Sequence, residues 1–130
     1  MHFQAKNGII LVMTLKVINN PDFQKFKAHS GFKNHEFKRL AGLFSIGASY
    51  KAIYDIAVDV DFDENICTFT YYRSNSYVPY LQFLIRRVGP NTDMYEVYKD
   101  GKGRISKSGL FERSFEKLEE EIQALIDEAQ

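Results

Sequence analysis

Apolar residues recur at intervals of four and three towards the end of the chain, and most of the positions between them are charged. The stripe consists of Phe111, Phe115, Leu118, Ile122, Leu125 and Ala129. This spacing predicts an amphipathic helix that begins near Ser108 or Gly109. The stripe has to be buried against another layer, and we expect that layer to be a sheet built from the preceding strands. A seam of this length is too short to indicate a coiled coil by itself.

The middle of the chain follows a period of two. Apolar residues alternate with polar ones from Tyr54 to Phe62, which predicts a half-buried strand with three aspartates on its wet face: Asp55, Asp59 and Asp61. The short turns that follow predict further strands in antiparallel order: Ile66–Arg73, Tyr77–Val88, Met94–Lys99 and Arg104–Lys107.

The first fifty residues predict one strand and two helices. The β-branched run Ile9–Ile18 indicates a buried strand, and Asn20 and Pro21 favour a short helix over Pro21–His29. Asn34 can cap a second helix that ends near Gly47 and has one apolar face: Phe37, Leu40, Ala41 and Phe44.

A chain of 130 residues with 45% hydrophobic residues predicts a single domain over residues 1–130. The expected class is α+β, with an antiparallel sheet of four to six strands in the order β-α-α-β-β-β-β-β-α and the C-terminal helix packed on it. This order resembles the helix-grip fold of lipid- and hormone-binding domains. The resemblance lies in element order, without a family motif, and it implies a space for an apolar ligand between sheet and helix.

The charges balance in sum and separate along the chain. Seventeen basic residues match seventeen acidic ones, which argues against nucleic acid as a partner. The stretch from Asp22 to Lys51 has six basic residues against two acidic ones, and Leu110–Gln130 has seven acidic against two basic. The single cysteine and the lack of a long apolar run predict a cytoplasmic protein without a membrane span.

Residue patterns for catalysis or metal binding are weak. The spacing of Asp59, Asp61 and Asp63 suggests a calcium loop, but Glu64 stands at its glycine position and Thr70 at its final glutamate position. Glu96 and Lys99 are three residues apart, so strand alternation sends them to opposite faces and argues against a nuclease site. We therefore predict no metal site, no cofactor and no catalytic residues.

Tyrosines concentrate around the turn at Ser74–Ser76. Alternation puts Cys67, Phe69 and Tyr71 on the apolar face of their strand, so Tyr72 is expected on the exposed face. Aromatic residues and arginine are enriched at binding hot spots. We predict a binding surface that consists of Tyr72, Tyr77, Tyr80 and Arg86.

These observations favour a small, soluble, non-catalytic binding protein, such as an inhibitor, immunity or adaptor module. Its expected partner is another protein, and the chain itself is expected to be a monomer or a homodimer. Two alternatives stay open. One is a carrier of an apolar small molecule, and the other is an enzyme that uses Asp55, Asp59 and Asp61 with Arg86 or Arg87.

Overall fold

A computed structural model describes residues 33–73 and 78–130, together with the backbone of Ile9–Val12. Two helices and six strands are described, in the chain order β1 (Ile9–Val12), α1 (Asn34–Ser49), β2 (Asp55–Asp61), β3 (Ile66–Tyr72), β4 (Leu81–Gly89), β5 (Thr92–Lys99), β6 (Gly103–Ser108) and α2 (Phe111–Ala129). The expected helix Pro21–His29 and the second half of the expected first strand lie outside the described residues.

The six strands form one antiparallel sheet in which spatial order follows chain order. The register aligns Val58, Phe69, Phe83 and Val97 across β2 to β5, and all four side chains are fully buried. We call this side of the sheet the inner face. The opposite side, which includes Ala57, Thr70, Gln82 and Tyr98 in one aligned row, is the outer face.

Both helices pack on the inner face. The ring of Phe37 on α1 lies 5.9 Å from that of Phe69, and the ring of Phe111 on α2 lies 5.5 Å from that of Phe83. The predicted α+β class, the antiparallel sheet and the C-terminal helix on it are therefore confirmed. No helix in the described ranges is long and apolar enough to cross a membrane.

The ends of α1 differ from the prediction. Lys33, and not Asn34, is the N-cap residue, and no side chain caps the helix there. Gly47 does not end the helix, which continues to Ser49 before the chain turns at Lys51 with φ +59°. Gly47 instead lets the helix approach the returning chain, because a Cβ atom there would lie 2.6 Å from Cγ1 of Ile53.

The strand ends also shift. Tyr54 and Phe62 lie outside β2 and are 47% and 37% exposed. The predicted wet face of β2 is exposed only towards Asp61, because Asp55 and Ala57 are buried. β4 begins at Leu81, after Pro79, which has no N–H for the ladder, and the predicted start at Tyr77 lies outside the described residues. β5 begins earlier than predicted, at Thr92.

Candidate functional site

A groove of about 330 Å³ opens at the end of the sheet where β4 begins and the β5–β6 hairpin turns. It is lined by Val78, Pro79, Tyr80, Gln82, Tyr98, Lys99, Asp100, Gly101 and Gly103. The hairpin can turn this tightly because Gly101 and Gly103 have φ of +79° and +71°, which L side chains rarely adopt. The groove therefore combines two tyrosine rings with an amide, a cation and a carboxylate.

Tyr80 is half-buried, and two cations lie over its ring. The guanidinium of Arg73 lies 5.3 Å from the ring centroid, and the ammonium of Lys99 lies 6.0 Å from it. Both cations also pair with α2: Arg73 with Glu128, and Lys99 with Glu121 at 2.7 Å. The C-terminal helix thus fixes the groups that hold the Tyr80 ring.

Tyr98 belongs to a polar cluster on the outer face whose centre is Glu96. This glutamate is only 2% exposed. Its carboxylate accepts hydrogen bonds from the Tyr98 hydroxyl at 2.6 Å and from Nε of Arg86 at 2.9 Å, and Arg104 lies 3.8 Å away. Burial alone would raise the pKa of Glu96, but the hydrogen bonds from Tyr98 and Arg86 outweigh it and hold the pKa below its usual value.

Tyr98 and Lys99, two titratable groups of the groove, keep their protons near neutral pH. The hydrogen bond to Glu96, reinforced by burial, raises the pKa of the Tyr98 hydroxyl. The hydrogen bond to Glu121 raises the pKa of the Lys99 ammonium above its ordinary value of 10.5. Neither group is therefore prepared to act as a base or a nucleophile near neutral pH.

The predicted exposure of Tyr72 is wrong, since its side chain is only 3% exposed. Tyr72 does lie on the outer face, as alternation predicts, because it pairs with Asp55 and is two residues from Thr70. That end of the outer face is buried, however: Asp55, Ala57 and Thr70 are 4%, 8% and 5% exposed. Tyr77 lies outside the described residues.

Arg86 is far from Tyr72 along the sheet. It pairs with Ile66 at one end of β3, whereas Tyr72 lies at the other end. Six residues of strand separate those two positions by about 20 Å. Tyr72 and Arg86 therefore do not share one contact surface, and Tyr80 is the predicted residue that lies in the groove.

The aspartates of β2 and its turn have structural contacts. Asp59 and Asp61 share a face, as predicted. Oδ1 of Asp61 accepts hydrogen bonds from the backbone N–H groups of Asp63 and Glu64, both at 3.0 Å, and so closes the β2–β3 turn. Among the described residues no group of three or more His, Cys, Asp and Glu side chains is arranged to hold a metal ion.

Sequence reasoning missed two buried glutamates. Glu96 lies directly across the strand pair from Leu84 and diagonal to Arg86, and that diagonal pair of opposite charges is the signal that could have found it. Glu36, on α1, is 2% exposed and accepts a 2.7 Å hydrogen bond from the Tyr95 hydroxyl. Its pKa is raised, because burial outweighs that hydrogen bond.

Among the described residues, side chains of α2 and of the sheet pack directly against each other. Leu118 and Ile122 are fully buried, and the rings of Phe111 and Phe115 stack at 5.2 Å. Ser114 donates a 2.9 Å hydrogen bond to the carbonyl of Tyr95. This packing does not favour the alternative of an apolar ligand held beneath the helix.

Comparisons with protein-family models, with curated proteins and with solved structures found no match.

Proposed function

We propose that this protein is a non-catalytic binding module that holds a segment of another protein in the groove between Tyr80 and Tyr98. Tyrosine offers a large, stiff contact area together with a hydroxyl, and aromatic residues are enriched in protein interfaces. The volume of about 330 Å³ is at the lower end of the range for ligand sites, which suits a few side chains of a peptide segment.

The observation that carries this proposal is that both rings are already fixed. Tyr98 is bound through its hydroxyl to Glu96, and the Tyr80 ring contacts Arg73 and Lys99. A partner would not have to order these side chains, and the loss of side-chain freedom is one of the main costs of association.

The protonation and the hydrogen bonds of Tyr98 and Lys99 support a binding role over a catalytic one. Tyr98 and Lys99 keep their protons, and each is already hydrogen-bonded to a glutamate. Such groups can orient a partner by charge and hydrogen bonding. An inhibitor, immunity or adaptor protein needs no more than this. The buried free thiol of Cys67 fits the cytoplasm, which we propose as its location.

The test compares two truncations on β4 and β5. The wild-type protein, Tyr98→Ala and Val88→Ala are used to capture partners from an extract of the native cells. A captured partner is then purified and its affinity is measured by calorimetry. Val88 is the control, because it is 53% exposed and lies at the end of β4 away from the groove.

We expect Tyr98→Ala to weaken binding by about 1–3 kcal/mol, a hot-spot effect, and Val88→Ala to leave it unchanged. Tyr98→Phe keeps the ring but loses the hydrogen bond to Glu96 that fixes it, so we expect a loss of affinity smaller than that of Tyr98→Ala. Circular dichroism confirms that each variant is folded. Equal affinity of the wild-type and Tyr98→Ala proteins would remove the groove from consideration.

A further inference from the structure

The two helices lie side by side on the inner face and run in the same direction. Near their first turns, the guanidinium of Arg39 lies 4.3 Å from the ring centroid of Phe115. Further along, a Cβ atom on Gly47 would lie 3.5 Å from Cγ2 of Ile122. Residues later in α1 thus contact residues later in α2, as in two parallel helices. The surface of α1 and α2 that faces away from the sheet is called the helix layer below.

The helix layer is mainly basic on the α1 side and mainly acidic on the α2 side, where the basic residues are Arg113 and Lys117. Lys38 and Lys51 are exposed on and just after α1, and Glu116 and Asp127 are exposed on α2. Among the described residues, none of these four takes part in an ion pair within 4.0 Å. One ion pair, between Arg39 and Glu112, joins the two helices there.

The opposite charges lie at matching heights along the two helices. Lys38 precedes Arg39, which contacts Phe115, and Glu116 follows Phe115. At the other end, Lys51 lies just after the end of α1, four residues after Gly47, and Asp127 lies little more than one turn beyond Ile122. The layer therefore has two levels, each with an exposed cation on the α1 side and an exposed carboxylate on the α2 side.

The α1 side also offers a flat surface with apolar side chains. Gly42, Ser45 and Ser49 are exposed along its outer line, and an added Cβ at Gly42 would meet nothing within 4 Å. Beside that line, Ile46 and Tyr50 are 51% and 50% exposed. Small residues let another helix approach closely, and these two side chains offer it apolar area.

We propose that the helix layer is a docking surface for a second copy of this chain, related by a two-fold axis that runs between α1 and α2 and parallel to them. Such an axis lays α1 of each copy on α2 of the other and keeps the height of every residue. Lys38 then faces the other copy's Glu116, and Lys51 faces its Asp127. A two-fold axis across the helices would instead lay basic α1 on basic α1.

Charge complementarity selects a second copy over other occupants. A basic or an acidic polypeptide would match one half of the layer and be repelled by the other half. A second copy matches both halves at once, as a self-complementary two-fold interface requires.

The size of the layer sets the strength of the contact. Helices of 16 and 19 residues are about 24 and 28 Å long, and two together are about 20 Å wide. The footprint of roughly 500 Å² is smaller than the roughly 800 Å² per partner of a standard stable interface. The dimer is therefore weak, and it is sensitive to salt because its charges are exposed.

Sedimentation equilibrium tests the dimer over a series of protein concentrations, in low salt and in about 1 M salt, where the screening length is about 3 Å. We expect a monomer–dimer equilibrium in low salt that shifts to monomer in high salt. A wild-type protein that stays monomeric at every concentration in low salt would overturn the proposal.

Two charge-reversed variants test the geometry. Lys38→Glu/Lys51→Glu makes both sides of the layer acidic, and Glu116→Lys/Asp127→Lys makes both sides basic. Each variant alone should be monomeric. Mixed in equal amounts, the two should associate at least as strongly as the wild type, because every contact then joins opposite charges.

Lys102→Glu/Lys107→Glu is the matched control. Both residues are exposed on the β5–β6 hairpin, and the change in net charge equals that of the first variant. This control should dimerise like the wild type. Thermal melts confirm that every variant is folded. A mixture of folded charge-reversed variants that stays monomeric, or a control that also loses the dimer, would overturn the proposed interface.

Discussion

Gly42 and Gly47 of α1 allow the effect of a glycine-to-alanine substitution to be compared at an open and at a crowded position. At Gly42 an added Cβ would meet nothing within 4 Å, whereas at Gly47 it would lie 2.6 Å from Cγ1 and 3.2 Å from Cβ of Ile53. Replacing glycine by alanine inside a helix normally stabilises it by about 0.8–1.0 kcal/mol. We therefore expect Gly42→Ala to raise the free energy of unfolding by about 0.5–1 kcal/mol.

Gly47→Ala has the same helix gain but meets a steric conflict. Non-bonded carbon atoms prefer separations of about 3.5–4.0 Å, so Ile53 would have to withdraw by about 1 Å. Ile53 is only 3% exposed, and its N–H donates to the Gly47 carbonyl at 3.2 Å, which restrains it. Overpacking of this kind costs about 1–3 kcal/mol. The Gly47→Ala protein should therefore be less stable than the Gly42→Ala protein by about that amount.

Urea denaturation followed by circular dichroism measures both variants against the wild type. Low protein concentration and high salt disfavour the proposed dimer, so the comparison measures the stability of the monomer. The slope of unfolding free energy against urea should stay constant, so that the midpoints report stability alone. Equal stability of the two variants would refute the close contact between Gly47 and Ile53, and a loss of stability in Gly42→Ala would refute the exposed position of Gly42.

Leu118 is fully buried, so Leu118→Ala should lower the free energy of unfolding by about 2.7–5 kcal/mol in the same assay. The Leu110 side chain is 60% exposed, so Leu110→Ala should change that free energy by less than about 0.5 kcal/mol. Similar effects of the two substitutions would contradict the packing of α2. Burial raises the pKa of Glu36, so its contribution to stability is complete below its ordinary value of 4.5 and is lost as the pH rises through the folded value; Glu36→Gln should remove that loss. For Glu96, hydrogen bonds outweigh burial and lower the pKa, so its contribution is present above 4.5 and is lost as the pH falls through the folded value; Glu96→Gln should flatten the acid side of the profile. Unfolding curves over a series of pH values measure both effects, and a variant with the wild-type profile would contradict the direction given for its carboxyl group.

Features that depend on local pattern could be predicted from the sequence. The stripe of α2 keeps the helical period over about five turns, so the burial of Phe111, Phe115, Leu118, Ile122 and Leu125 follows from the spacing. The helix nevertheless begins at Phe111, later than predicted, and Ala129 is exposed. The alternation around Val58 likewise fixes which residues of β2 share the inner face. Short turns such as Asp63–Asn65 fix the antiparallel order, and Asn65 turns the chain there with φ +56°.

Features that depend on contacts between distant segments could not be predicted. Alternation assigns Tyr72 to the outer face, but it does not reveal that this end of the face is buried. The burial of Glu36 depends on Tyr95, which is far along the chain and meets it only in the folded state. The groove has the same origin, because Tyr80 and Tyr98 come together through the pairing of β4 with β5.

The strand order of the sheet has a consequence for folding. Strands β2 to β6 are joined by short connections, so each can add to the growing edge soon after its neighbour has formed. In the part of the chain that the structure describes, β1 pairs only with β2, and residues 13–54 separate the two strands in the sequence. Bringing together strands that are so far apart in the sequence carries a larger entropic cost, so we expect β1 to join the sheet late and to detach first. Hydrogen exchange should then find the backbone amides of β1 less protected than those of β3, which lies in the middle of the sheet.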